Sequence, residues 1–400
     1  MKTAIVKTAK LTVLVSSLAL VGLSAAYADD AAAPAAPAGP ALPSFPSLGG
    51  VLTADAKPFS FDAGPVGNVF VTGVASALVQ TQNNRVGNVA SSQTDVSNAQ
   101  IFLNKTDGLI QFSGQFGSYS IPALGVPYVK AEKTPAATYG VFSQGFIKLA
   151  PTDSFNVMVG KLPTLIGDEY TFSFENMNIQ RGLLWGQEPA VSRGVQANYT
   201  QGPLALSLSF NDGYYSNKYN TVSAAATYTM DSANIFAFSG SGHTGGFSNV
   251  SSTATPILQN NGQIYNLIYT HTSGPWTLQP YLQYNYVPAL SQLGTKSASA
   301  TGAAVLGSYK INDNYSLPVR LEYITSTGSK NDPADPSLLY GAGSKAWSLT
   351  ITPTYQYKIF FARAELSFVG INKGTVGSEF GVNGDKKNQV TGLLETGVMF

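Results

Sequence analysis

The sequence predicts an all-β fold: a transmembrane, antiparallel, up-and-down β-barrel of about sixteen strands, with short turns at one end and long loops at the other. Three observations predict it. Sixteen segments from about Gly67 onward alternate between apolar and polar residues, and a period of two marks a strand with two unlike faces. Their connections alternate between short and long, as tight inner turns and long outer loops of a barrel do. Charged residues make up only 11% of the chain, against roughly 25% in an average soluble domain, yet no later segment reaches the ~18 consecutive apolar residues of a membrane helix. A soluble β-sandwich shares the composition, but has no reason to confine its long loops to alternate connections. A solenoid would show a fixed repeat length, and none is present.

The first 28 residues read as a secretory signal peptide. Lys2, Lys7 and Lys10 form a basic start, Leu11–Leu23 is a short apolar run, and Ala26-Tyr27-Ala28 has the small-x-small form of a cleavage site. Residues 29–64 include an Ala/Pro-rich stretch, Ala31–Ser47, expected as an extended periplasmic linker, because proline fixes its dihedrals and donates no hydrogen bond. Residues 65–400 are expected to form the barrel. There is no cysteine, so disulfides and thiolate metal sites are excluded. A net charge of +1 suggests no nucleic-acid partner.

The alternation is clearest in residues 345–357. Trp347, Leu349, Ile351, Pro353, Tyr355 and Tyr357 share one face, and Ser348, Thr350, Thr352, Thr354 and Gln356 the other. Ten steps of strand span roughly 33 Å, and tilted by about 40° they rise about 25 Å, the height of an outer-membrane apolar band. The second clear case is 275–287, where Trp276, Leu278, Pro280, Leu282, Tyr284 and Tyr286 oppose Thr277, Gln279, Gln283 and Asn285. Trp276, Tyr284, Tyr286, Trp347, Tyr355 and Tyr357 stand at strand ends, where interfacial girdles form. The remaining strands are expected near 67–80, 98–105, 107–117, 139–149, 154–162, 190–201, 203–212, 220–230, 233–242, 261–272, 299–310, 314–326, 359–370 and 389–400. The last of these closes the barrel against the first and ends on Phe400, an aromatic terminus of the kind outer-membrane assembly machinery recognises.

QGFIKLAPTDSFNVMVGKLPTLIGDEY (144–170), PAVSRGVQANY and LSLSFNDGYYS together resemble the OmpL-like beta-barrel porins of Gram-negative bacteria. The resemblance covers about 65–400. It implies an outer-membrane channel in contact with lipid and lipopolysaccharide, passing small hydrophilic solutes by passive diffusion, and it is compatible with a homo-oligomer. Its motifs speak for class and not for a particular solute.

The candidate site is the longest loop, Pro163–Pro189. Phe172, Phe174, Met177, Leu183, Leu184 and Trp185 make it unusually apolar for an exposed segment, so it is expected to fold inward and narrow the channel. Its charges, Asp168, Glu169, Glu175 and Arg181 with Glu188, are candidates for the constriction. On the wall, strand parity turns Lys148, Arg320, Glu322, Arg363, Glu365 and Glu395 into the lumen. A basic residue facing the lipid midplane costs roughly 2–4 kcal/mol, which constrains these assignments. The five from Arg320 to Glu395 are expected to form one mixed-charge cluster, either a stiffening ion-pair lattice or a guide for charged solutes. Arg193 falls on the lipid-facing parity and is ambiguous.

No cofactor or metal site is expected. The run Asn331–Pro336 is short and broken by proline, unlike a calcium loop. Two histidines, His243 and His271, are the only imidazoles; a hydrolase would need one of them aligned with a serine and an orienting group on neighbouring strands, and serines are too common here to mark such a site. The second function class left open is a surface adhesin or receptor that works through its outer loops with little conductance.

Overall fold

A computed structural model describes residues 46–400; the stretch expected as a signal peptide and most of the Ala/Pro stretch lie outside them. The strands are β1 (Phe59–Asp62), β2 (Asn68–Gln82), β3 (Ser92–Lys105), β4 (Ile110–Tyr119), β5 (Phe142–Leu149), β6 (Phe155–Pro163), β7 (Val191–Gln201), β8 (Leu204–Asn211) and β9 (Thr221–Thr229). They continue as β10 (Asn234–His243), β11 (Gln263–Ser273), β12 (Trp276–Val287), β13 (Ala298–Lys310), β14 (Tyr315–Ser326), β15 (Lys345–Ile351), β16 (Thr354–Tyr357), β17 (Phe360–Lys373) and β18 (Asn388–Met399).

Each strand pairs antiparallel with its chain neighbours, and β18 closes on β2 from Thr391 opposite Gln82 to Met399 opposite Val74. β15 and β16 are halves of one strand: both pair with β14 and with β17, and the break falls at Thr352-Pro353. Proline has no N–H for the ladder. Counting those halves as one and setting β1 aside, the barrel has sixteen strands. No helix among the described residues is long and apolar enough to cross a membrane.

Parity sorts the side chains as a lipid-outside, polar-inside wall demands. On β17 Ala362 and Leu366 are exposed while Arg363 and Glu365 are buried, and on β14 Leu321 and Tyr323 are exposed while Arg320 and Glu322 are buried. The aromatic residues expected at strand ends all face out; Trp276, Tyr284, Tyr357 and Phe400 are exposed and Tyr286, Trp347 and Tyr355 half-buried. Several pack ring against ring across strands, as Trp276 does with Tyr309 at 4.5 Å and Trp347 with Phe368 at 4.9 Å, both pairs tilted. Phe400 continues the closing ladder: its carbonyl accepts from Gly73 N at 2.7 Å and its N–H donates to Gly73 O at 3.0 Å.

Turns of two to five residues join strands at the short-turn end, and β7–β8 and β11–β12 have the two-residue form. Gly202 and Gly274 take φ +55° and +56° there, the left-handed geometry that twisted hairpins require. β1 extends beyond the barrel proper: it pairs with Asn68–Val71 of β2, on the same edge that β18 occupies further along.

The β2–β3 ladder carries one bulge, between Ser76 and Leu78, opposite Asp95–Asn98. An extra residue re-aims its neighbours, and Ser97 and Asn98 both end up fully buried. The lumen they face is not empty.

Candidate functional site

The segment between β6 and β7, here loop L3, lies inside the barrel. Its backbone is held by wall carboxylates that accept from its N–H groups. Glu365 takes Ile179 N and Gln180 N, the latter at 3.0 Å, and Glu322 takes Leu184 N at 3.1 Å. Wall donors do the reverse: Arg363 reaches Asn176 O at 3.1 Å, Arg320 reaches Gln180 O at 2.8 Å, and Gln283 reaches Leu184 O at 2.9 Å. Gly182 sits where a Cβ would meet Glu322 Oε1 at 2.3 Å and Glu169 Oε2 at 2.7 Å, so a side chain there would displace the acids that hold the loop. The preceding long loop comes in as well. Arg181 N donates to Pro122 O and Leu124 N to Arg181 O, each at 2.9 Å.

The charges meet in one network. Arg320 pairs with Glu169 of L3 and, at 3.3 Å, with Glu322. Arg363 pairs with Glu395, whose carboxylate also accepts from Ser173 of L3 at 2.9 Å and from Ser76 and Ser97 at 3.1 Å each. Arg181 donates to Thr171 O and Ile179 O. Glu175 accepts from Phe172 N at 3.0 Å. The arginines are at most 2% exposed and the glutamates at most 6%. Such burial is tolerated because each charge has charged or backbone partners.

Three of these eleven charges stand apart. Lys148, on β5, faces no carboxylate, and half-buried Asp168 of L3 no cation; Gln279 approaches Asp168 at 3.5 Å. Glu188, also without a cationic partner, accepts from Tyr281.

Apolar packing completes the seat of L3. Phe172 and Phe174 are fully buried, edge-on to Tyr119 at 5.1 Å and Phe102 at 6.1 Å. Met177, Leu183 and Leu184 join a cluster with Ile268, Tyr281, Leu306 and Ile324 of the wall. The inner face of β11–β14 is thus partly apolar where the loop leans on it. On β4 and β6–β8 it is polar: Gln111, Asn156, Thr200 and Ser207 face in and stay half-exposed.

The stretch expected as a linker is partly docked in the lumen. Leu48 and Leu52 are 2% and 1% exposed. Composition gives no hint of this, because a pair of leucines in an Ala/Pro context has no periodicity to read. Arg193 does lie on the outward parity, where Asp212 pairs with it at 2.7 Å and Tyr215 lies under its guanidinium at 3.9 Å. His243 bonds Gly246 O at 2.7 Å, and His271 bonds Asn234 at 2.9 Å; these contacts bring no serine to either ring. Among the described residues no three His, Cys, Asp or Glu side chains could hold a metal ion together.

A closed sixteen-strand barrel with a loop folded into its lumen defines the porin class of outer-membrane proteins. The chain belongs to the family described as "Putative beta-barrel porin-2, OmpL-like", whose model matches residues 68–400. It is an outer-membrane barrel of the porin type. Similar solved folds include the outer membrane channel DcaP of Acinetobacter baumannii, at 12% identity and TM-score 0.56, covering 86% of this chain and 99% of that one. In-vitro folded OmpT of Vibrio cholerae, an outer membrane protein, is similar at 11% identity and TM-score 0.54, covering 83% and 99%. No curated protein matches the chain.

Proposed function

We propose that small hydrophilic solutes cross this channel by passive diffusion along the strip left free by L3. What carries the reading is the row Gln111, Asn156, Thr200 and Ser207, inward and half-exposed toward the short-turn mouth, on the wall opposite the β11–β14 face that L3 packs against. Selection in such a path rests on width and lining charge, with no covalent step. Buried and internally paired, Arg320 and Arg363 anchor L3, and Lys148, on β5 beside that row, biases ion passage. Lys148→Gln is expected to raise cation preference, read as a shift of reversal potential in a potassium chloride gradient across a planar bilayer. A shift of the opposite sign, or none, would reject that assignment. A folded barrel that never conducts would reject the channel itself and favour an adhesin; family membership speaks for the channel.

We read no catalysis here, since the hydrogen bonds of His243 and His271 serve to fix a loop and a strand end. The outward aromatic residues at strand ends suit contact with lipid and lipopolysaccharide. Phe400, laid along β2, suits recognition by assembly machinery. Deleting it is expected to cut the yield of assembled barrel several-fold, measured by the heat-dependent shift in gel mobility. The OmpT structure is described as a trimer form, and on that likeness we propose a homo-oligomer, to be checked by native mass in detergent.

A further inference from the structure

Residues 46–54 carry an observation that the channel reading does not use. Gly50 N turns back to Ser47 O at 3.1 Å, and Ser47 Oγ donates to Leu52 O, closing a compact knot. Leu48 lies in the apolar cluster that contains Met177 of L3. Gly49, at φ +64°, is pressed so close to Met177 that a Cβ would stand 2.3 Å from its Cε. Leu52 lies in the cluster of Val74, Phe172, Phe174, Phe361 and Met399. Gln356 clamps the end of the knot: its side chain accepts from Thr53 N at 2.9 Å and donates to Thr53 O at 2.7 Å. Phe361, Gln356 and Met399 all belong to the short-turn end of β16–β18. The knot therefore enters from that end and sits between the wall and L3.

Its hold is weak by construction. It buries Leu48, Leu52, Ser47 and one clamped peptide unit, Val51 and Ala54 pack partly against the same clusters, and Gly50, Thr53, Ala56 and Lys57 are already exposed. Burial of two leucines is of the same order as the conformational entropy of fixing eight or so residues. β1 would keep the segment tethered to β2 after release.

We propose that residues 46–54 are a detachable wedge that narrows the periplasmic half of the channel and props L3, so that the pore has a wedged and an open conductance level. The inference rests on the channel reading above. Gly and Leu suit the two positions for different reasons. Gly49 takes its positive φ and close approach with least strain, and Met177→Cys would remove the Cε that a Cβ there meets, while Leu48 and Leu52 supply reversible apolar contact.

The experiment compares single-channel conductance of the unmodified protein, a deletion of residues 46–57, and the pair Gly49→Cys with Met177→Cys, in a chain that has no other cysteine. The built Cβ at Gly49 lies 3.5 Å from Met177 Cγ, within reach of a disulfide. The deletion is expected to show only the larger level, about two-fold or more above the smaller one. The oxidised pair should show only the smaller level, and dithiothreitol should restore switching. Equal conductance in all three would overturn the wedge. If the deletion does not assemble, the oxidised and reduced pair decides: no difference between them overturns it equally. Silence of every variant, unmodified protein included, would count against the channel and not against the wedge alone.

Discussion

Arg363→Met lowers the stability of the assembled barrel by about 3–5 kcal/mol, the expected effect of stranding a buried carboxylate. Glu395 is then left with three serine hydroxyls and no cation, at 2% exposure. The loss also removes the donor to Asn176 O of L3. The urea midpoint of the barrel refolded in detergent micelles measures it. The double change Arg363→Met with Glu395→Leu should be milder than Arg363→Met alone, because removing both charges leaves no uncompensated ion. If the single and double variants unfold together, the pair is not what holds this region. Glu395→Gln should fall between, and should also disturb L3. Strand parity alone suggests a residue that touches only conduction, but its bond with Ser173 ties it to the loop.

The second large effect is expected from Phe172→Ala with Phe174→Ala. Each ring is fully buried, and truncating such a ring costs about 3–5 kcal/mol in a rigid core. L3 is a loop and can open locally, so the loss should appear there and not as collapse of the sheet. Unitary conductance should rise a few-fold with added current noise, and added protease should cut within residues 163–189. The urea midpoint of the strands should move little. A variant with unchanged conductance and protection would mean that the carboxylate–backbone bonds alone seat the loop.

Much of the wall is legible in the residue pattern alone. All sixteen expected strands are present, because lipid outside and polar groups inside write a period of two into each one. Parity by itself puts Arg320, Glu322, Arg363, Glu365 and Glu395 on the inner face, where Arg320 pairs with Glu322 and Arg363 with Glu395. Three features are not legible in this way. The start of β3, Ser92–Asp95, is polar on both faces and the bulge that follows shifts parity, so the expected strand begins six residues late. The break at Pro353 looks continuous in the pattern because the proline keeps its outward place. Partners across long separations, such as Glu395 with Ser173 or Gln356 with Thr53, obey no local period at all. The loop's apolar residues require that L3 be covered, but do not say which carboxylates take its N–H groups.

The bulge at Ser76–Leu78 bears on how the chain finishes folding. Neighbouring hairpins can form in any order, but the β18–β2 ladder joins segments more than 300 residues apart and must come late. A slip of two residues there would keep every face correct and cost few hydrogen bonds, so the ladder alone reads its own alignment poorly. Glu395 reads it from inside. Only in the native alignment does one carboxylate meet Arg363 from one flank of the seam, Ser76 and Ser97 from the other, and Ser173 from within. The loop that narrows the channel thus doubles as the gauge against which the two ends of the sheet are matched.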